Sequence, residues 1–369
     1  MNQKVSPLFL FISLSFGIIY SCSKNTNSTP TLAVKEITPN HGSFGDTVTI
    51  TGSGFESSTS ADSVWFNGKM APVINASSTQ LQVTVPSLCG TGNIKVSANG
   101  NTASGPIFNY DTTYQLTTFA TGLKNPQYLT IDGAGDLYVT NFGDGTISKI
   151  SSTGVVSTFT SGLNGPTGIA IDVNSNIYVA TNNNMNVSSI LKITPSGAVD
   201  SFANITGYIY GLTIDNSGNL YAANAGVGVI SKITSGGNVS TFASGMASVT
   251  DMALSSNGNM YATGTANGSV YKITTNGSVT VVYSGFSFGG QNGIAIDKND
   301  NLYITVFGNN TLSQYNTVTK IDVSGMISTL TGGLDDPCGL AIDANGNFYI
   351  VNSLSSNTPN GTVSKITVQ

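Results

Sequence analysis

Arginine is missing altogether, and charge of either sign is scarce. Charged residues make up 8% of the 369 positions, against about 25% in an ordinary soluble domain. The 13 basic residues are all Lys, so no guanidinium fork can grip phosphate or carboxylate. With a net charge of −5, the surface cannot release phosphate counterions, which excludes a nucleic-acid partner. There is one His, His41, and the only Glu are Glu36 and Glu56. That removes most chemistry in which His acts as base or metal ligand. Cysteine is sparse too. Cys89 and Cys338 fall in different domains by the reading below, so no disulfide is expected, and two isolated thiols make no metal site. Low charge does not mean disorder here. Hydrophobic residues are 39%, with 15 Tyr and 16 Phe, enough apolar surface to fold.

The first 21 residues hold one Lys, Lys4, and then an apolar run from Val5 to Tyr20. The run is short for a membrane span, which needs about 20 apolar residues, and suits a secretory leader. It ends Ile19-Tyr20-Ser21-Cys22, which resembles the bacterial lipobox. The resemblance implies lipidation of Cys22 and a location in the bacterial cell envelope. The outer membrane, the cell surface and the periplasmic face all remain open. Lipid would be the sole membrane contact. Residues 22–30 are polar and read as a flexible tether.

From residue 31 to 111, short alternating runs are broken by Gly and Pro. Residues 48–51, 63–66, 81–85 and 93–97 each show period two with β-branched side chains. Such strands predict an immunoglobulin-like sandwich. Pro39-Asn40-His41-Gly42, the run Gly45 to Phe55, and Val64-Trp65-Phe66-Asn67-Gly68 resemble an IPT/TIG domain. That likeness implies a spacer or interaction module. His41 is expected in a surface turn.

Residues 114–369 carry a six-fold repeat. One strand recurs as YLTID, GIAID, GLTID, DMALS, GIAID and GLAID, ending at Asp132, Asp172, Asp215, Ser255, Asp297 and Asp343. A period of 40–46 residues fits four short strands per unit, the signature of propeller blades. The last unit reaches Gln369 without a fourth strand, while LTTFA (116–120) stands alone before the first. The expected fold is therefore all-β: a sandwich, then a six-bladed propeller closed by the strand near 116–120. Closure removes free strand edges. The repeat resembles NHL-type and gluconolactonase-like (senescence-marker protein) propellers.

The repeated Asp read as turn caps, since Asp accepts backbone N–H bonds from the residues that follow it. The repeated Tyr (Tyr138 through Tyr349) read as packing with the hydroxyl at the rim. The repeated Lys (Lys149 through Lys365) read as solvated. The D-x-x-G-N turns are uniform, but the loops at the opposite face vary, and variation should mark function. Candidate ligand contacts on that face are Phe142, Asn182, Tyr208, Tyr210, Asp251, Phe288, Gln291, Asn292, Phe307 and Tyr315. Aromatic faces among amides suit a glycan or a protein surface.

The gluconolactonase resemblance implies a divalent metal held at the channel mouth. The matching positions are Gln127, Thr167, Tyr210, Thr250, Asn292 and Cys338. One amide there resembles the family's Asn motif, and no Glu follows residue 56. Too little negative charge remains for Mg²⁺ or Ca²⁺. Lyases of related propellers that depend on His are excluded as models, since no His lies beyond residue 41. The leading expectation is a monomeric, non-catalytic binding protein of a glycan or envelope protein, with no metal and no cofactor. A diverged lactonase-like hydrolase using Asn292 and Asp251, and a structural or adhesive scaffold, stand as alternatives.

Overall fold

A computed structural model describes residues 30–184, 187–286, 292–307, 316–353 and 361–369. The leader, Cys22 and most of the tether lie outside the described residues. The chain divides into two compact units, one ending at Asp111 and one starting at Thr112.

The first unit is a two-sheet sandwich. Strands Ala33–Thr38, Thr47–Ser53, Gln80–Thr84 and Val73–Ser77 form one sheet in that order. His41–Gly42, Asn101–Tyr110, Gly92–Ala98, Ser63–Phe66 and Lys69–Ala71 form the other. The period-two pattern sends alternate residues inward. Val48, Ile50, Val64, Phe66, Leu81, Val83, Ile94 and Val96 are fully buried in one core. Phe66 meets Phe108 edge to face, with centroids 4.9 Å apart. His41 differs from the expectation. It lies in a two-residue strand paired in parallel with Asn109, and its Nδ1 is 2.8 Å from Asp111 Oδ2, with both side chains exposed. Cys89 is buried and free.

The described residues of the second unit form six four-stranded antiparallel sheets. Their inner strands are Pro126–Ile131, Pro166–Ile171, Ile209–Ile214, Val249–Leu254, Ile294–Ile296 and Pro337–Ile342. Each inner strand touches the next, and the sixth touches the first, so the ring is closed. Closure follows the expected register. Tyr114–Leu123 pairs with Gly361–Val368, placing Leu116 opposite Ile366 and Thr118 opposite Ser364. Between neighbouring blades lie separate apolar cores. The core between last and first blades unites Leu123, Leu137, Val139 and Ile150 with Val351 and Val363.

The repeated polar residues form one module in five of the six blades; the fourth has Ser255 in place of the Asp. In the third blade, Asp215 Oδ1 accepts the N–H groups of Ser217 and Asn219 at 2.9 and 2.8 Å. Its Oδ2 accepts from Asn219 Nδ2 at 2.9 Å and from the Tyr221 hydroxyl at 3.2 Å. Asp132, Asp172, Asp297 and Asp343 cap their turns in the same way. In five blades, all but the fourth, the lysine amine departs from the expected solvated position and sits over the adjacent tyrosine ring. Lys232 Nζ lies 5.5 Å from the Tyr221 centroid, within cation–π range.

Burial raises the Asp215 carboxyl pKa, but the hydrogen bonds from Asn219, Ser217 and Tyr221 outweigh it and hold the pKa below the ordinary value. A depressed folded pKa stabilises above the unfolded pKa, and that gain is lost as pH falls through the folded value. Asp215→Ala should therefore cost about 1–2 kcal/mol at pH 7 and less near pH 3. Urea midpoints at the two pH values check this. An identical loss at both would refute the cap.

Candidate functional site

The six inner strands present equivalent positions to the central channel. Nearest the variable loops stand Gln127, Thr167, Tyr210, Thr250, Asn292 and Cys338. The next position is Gly168, Gly211, Gly293 or Gly339 in four blades, but Tyr128 in the first and Asp251 in the fourth. Close approach explains the glycines. A Cβ on Gly168 would lie 2.2 Å from the Tyr210 carbonyl oxygen, and one on Gly293 would lie 2.4 Å from that of Cys338. Backbone of the next blade cannot yield as a side chain could. Gly168→Ala should destabilise by about 3 kcal/mol. Gly133→Ala, which meets nothing within 4 Å, should change stability by less than about 0.5 kcal/mol. Equal urea midpoints for the two variants would contradict this account.

Hydroxyls latch the blades together. Thr140 Oγ1 donates to Thr167 O at 2.7 Å, and Thr167 Oγ1 donates to Ile209 O at 2.8 Å. Thr263 Oγ1 donates to Asn292 O at 2.9 Å, and Thr305 Oγ1 to Cys338 O at 2.7 Å. Cys338 Sγ lies 3.6 Å from Pro126 O, joining the last blade to the first. Burial pushes its thiol pKa up to about 12, so the sulfur keeps its proton and is no nucleophile.

Tyr128 spans the channel. Its hydroxyl donates to Thr250 O on the opposite blade at 3.1 Å. Burial, reinforced by the nearby Asp251 charge, raises the Tyr128 pKa well above the ordinary value. Asp251 Oδ2 accepts the Ile294 N–H at 3.0 Å. Burial lifts the Asp251 pKa to about 7, against the pull of the Ile294 and Met252 N–H groups. Tyr128 and Asp251 form the floor of a cavity of about 300 Å³ whose remaining lining runs along the inner strands to Ile131, Ile171, Ile214, Leu254, Ile296 and Ile342. Burial relaxes toward those strand ends, so the well opens at the uniform turn face, away from the variable loops.

The expected contact residues separate into groups. Asn182, Tyr208 and Tyr210 come together. The two rings lie 4.8 Å apart, and both are partly exposed. Asn182 Nδ2 donates to Thr167 Oγ1 at 2.8 Å and to Ile209 O at 3.0 Å. Its Oδ1 accepts from Ser188 Oγ and from the Ile209 N–H. Asn182 thus braces the loop that carries the two tyrosines. Phe142 is exposed beside Gly165, and Phe307 is half-buried. Phe288, Gln291 and Tyr315 lie outside the described residues. Asn292 is fully buried, with Nδ2 donating to Thr305 O at 2.6 Å. It packs as a latch and does not face the channel mouth as an open ligand would. Asp251 belongs to the well at the other face. Thr167, expected only as a position matching the metal-ligand frame, is an inter-blade latch, and Ser188 and Tyr128 were not among the expected contacts. For Tyr128 the signal was present, because YLTID begins with Tyr where sister strands begin with Gly. Among the described residues, no three of His, Cys, Asp and Glu converge as metal ligands would.

Comparison with known proteins places these features. The family model described as the virginiamycin B lyase family matches residues 100–356, and the IPT/TIG domain model matches residues 32–116. Searching curated proteins found no match. A structural genomics protein of unknown function from Bacteroides thetaiotaomicron is 18% identical with a TM-score of 0.62, covering 94% of this chain and 99% of its own. An auxiliary nutrient binding protein from Bacteroides ovatus is 18% identical with a TM-score of 0.58, covering 92% and 98%. A catalytically inactive His-to-Ala virginiamycin B lyase from Staphylococcus aureus, solved with quinupristin, is 17% identical with a TM-score of 0.50, covering 70% and 99%. These likenesses carry the fold. The match over residues 100–356 carries more: around a channel without histidine, the chain belongs to the virginiamycin B lyase family.

Proposed function

We propose that this chain is a non-catalytic binding protein whose propeller loop face recognises a glycan or another envelope ligand. One observation carries the reading. The six loop-end positions of the channel are Gln, Thr, Tyr, Thr, Asn and Cys, and no His, Glu or Arg occurs anywhere in residues 112–369. A lyase-family scaffold so deprived has no histidine or glutamate at the channel mouth to abstract a proton. What it offers there is the Tyr208–Tyr210 pair braced by Asn182, a surface that stacks and hydrogen-bonds without charge. The auxiliary nutrient binding protein from Bacteroides ovatus, similar over both units, supports a binding role. Lipidation at Cys22 would tether the monomer to the cell envelope, with the sandwich as spacer.

Three measurements test this. Quinupristin incubated with the protein should remain intact; turnover above the buffer rate would restore the lyase reading. In a glycan array, a ligand should be captured, and Tyr208→Ala with Tyr210→Ala should weaken it at least tenfold, about 1.4 kcal/mol. Retention of full affinity would remove the assigned face. Cys22→Ser should shift the chain from the membrane to the soluble fraction, and unchanged fractionation would exclude the anchor.

A further inference from the structure

Within the sandwich, the crossover loop 54–62 joins Thr47–Ser53 in one sheet to Ser63–Phe66 in the other. It carries two acids, Glu56 and Asp62. Asp62 is only 5% exposed. Its Oδ2 accepts the Glu56 N–H at 3.0 Å, which sets the two residues side by side. Its Oδ1 is buried and has no hydrogen-bond partner. Burying an acid with one oxygen bare is unfavourable. Burial raises the Asp62 pKa, and the Glu56 charge adds to that rise, against the pull of the Glu56 N–H. Neither acid has a basic partner, since the ion pairs among the described residues are His41–Asp111 and Lys149–Asp136. A third polar side chain reaches the pair from the second sheet. Asn99, in the turn between Gly92–Ala98 and Asn101–Tyr110, donates through Nδ2 to Glu56 Oε1. A half-turn of that amide presents its oxygen instead.

We propose that Glu56, Asp62 and Asn99 form a Ca²⁺ site that fastens the crossover loop to this turn of the second sheet. The side-chain donors are all oxygen, which suits a hard cation. Asp62 supplies its bare Oδ1 and Glu56 its carboxylate, so two negative charges face a divalent ion. Asn99 adds a neutral oxygen. Ca²⁺ takes about six to eight oxygens in flexible geometry, and water fills the positions that the protein leaves open. Residues 57–61 are all exposed, so solvent reaches the loop from that side. Mg²⁺ fits worse, because it demands near-ideal octahedral geometry and sheds water reluctantly. With two carboxylates the site belongs among weak ones, with a dissociation constant of about 0.1–1 mM.

Trp65 is the sole tryptophan and lies in Ser63–Phe66, so its fluorescence reports the sandwich and not the propeller. The experiment is urea unfolding of the full chain, followed by Trp65 fluorescence, in EDTA and in about 10 mM CaCl₂ or MgCl₂. A ligand that binds the folded state alone raises the midpoint by mass action. Ca²⁺ should raise it saturably, and Mg²⁺ should raise it less. Calorimetric titration with CaCl₂ should show binding that Asp62→Asn and Glu56→Gln each weaken at least tenfold, and each should remove the midpoint rise. Glu56 is half-buried, so Glu56→Gln keeps the test decisive if Asp62→Asn fails to fold. No rise in wild type, an equal rise with Mg²⁺, or a full rise kept by either folded variant would overturn the site.

Discussion

Deletion of Tyr114–Leu123 is expected to abolish cooperative unfolding of the propeller. The strand precedes the first blade in sequence but completes the last one in space, pairing with Gly361–Val368 along its length. Its loss leaves Gly361–Val368 as an open edge, and unpaired edges recruit other chains. It also strips side chains from the core between the last and first blades. Leu123 and Ala120 are 1% and 5% exposed, and they pack with Leu137, Ile150, Val351 and Val363. Leu123→Ala alone should cost about 2–5 kcal/mol. Whole domains are stable by only about 5–15 kcal/mol, so removing the entire strand exceeds what a closed ring can lose. Far-UV circular dichroism should show a broad, low-amplitude melt, and size exclusion should show association. A monomer melting in one transition at the wild-type temperature would refute the role assigned to this strand.

How much of this was legible follows from which contacts are local. The Asp-capped turns are written in adjacent residues: Asp215 bonds the N–H groups two and four positions on, so D-x-x-G-N spelled the turn. The closing strand was legible because the repeat itself was incomplete at both ends. The channel floor was not read, because it depends on a diametric relation. Tyr128 and Asp251 break the glycine pattern in the first and fourth blades, three apart in a ring of six, so the Tyr128 hydroxyl crosses the axis to Thr250 O, the residue before Asp251. Sequence order separates them by more than a hundred residues. Asp251 was grouped with the loop-face residues because its strand begins there. Its carboxyl instead points into a well whose opening depends on strand direction and burial. Asn292 fits a metal-ligand motif by frame alone. What decides its role is Thr305, thirteen residues on, which takes its amide proton. The sandwich strands Ala33–Thr38 and Val73–Ser77 went unassigned, since their exposed and half-buried pattern lacks the clean alternation of Thr47–Ser53.

Asp251→Asn should stabilise the protein at pH 8 and leave it nearly unchanged at pH 4. In the folded chain the carboxyl titrates at about 7, against an ordinary value of 3.8. Between those values the folded state holds a proton that the unfolded state has released. Stability therefore falls as pH rises from about 4 to about 7 and levels off above it. A shift of this size corresponds to about 4 kcal/mol, an order-of-magnitude figure for a buried acid. Asn reproduces the neutral acid in size and can still accept the Ile294 N–H, but it has no proton to lose. The variant should consequently lack this pH-dependent loss. The difference between the two proteins isolates it from the turn carboxylates such as Asp215, whose contribution runs in the opposite direction. Denaturant unfolding at pH 4, 6 and 8 measures that difference. If it stays constant across the three, Asp251 is ionised throughout and the floor of the well is wetter than its burial implies. If it grows with pH, the fold maintains an acid at a cost that folding alone does not require.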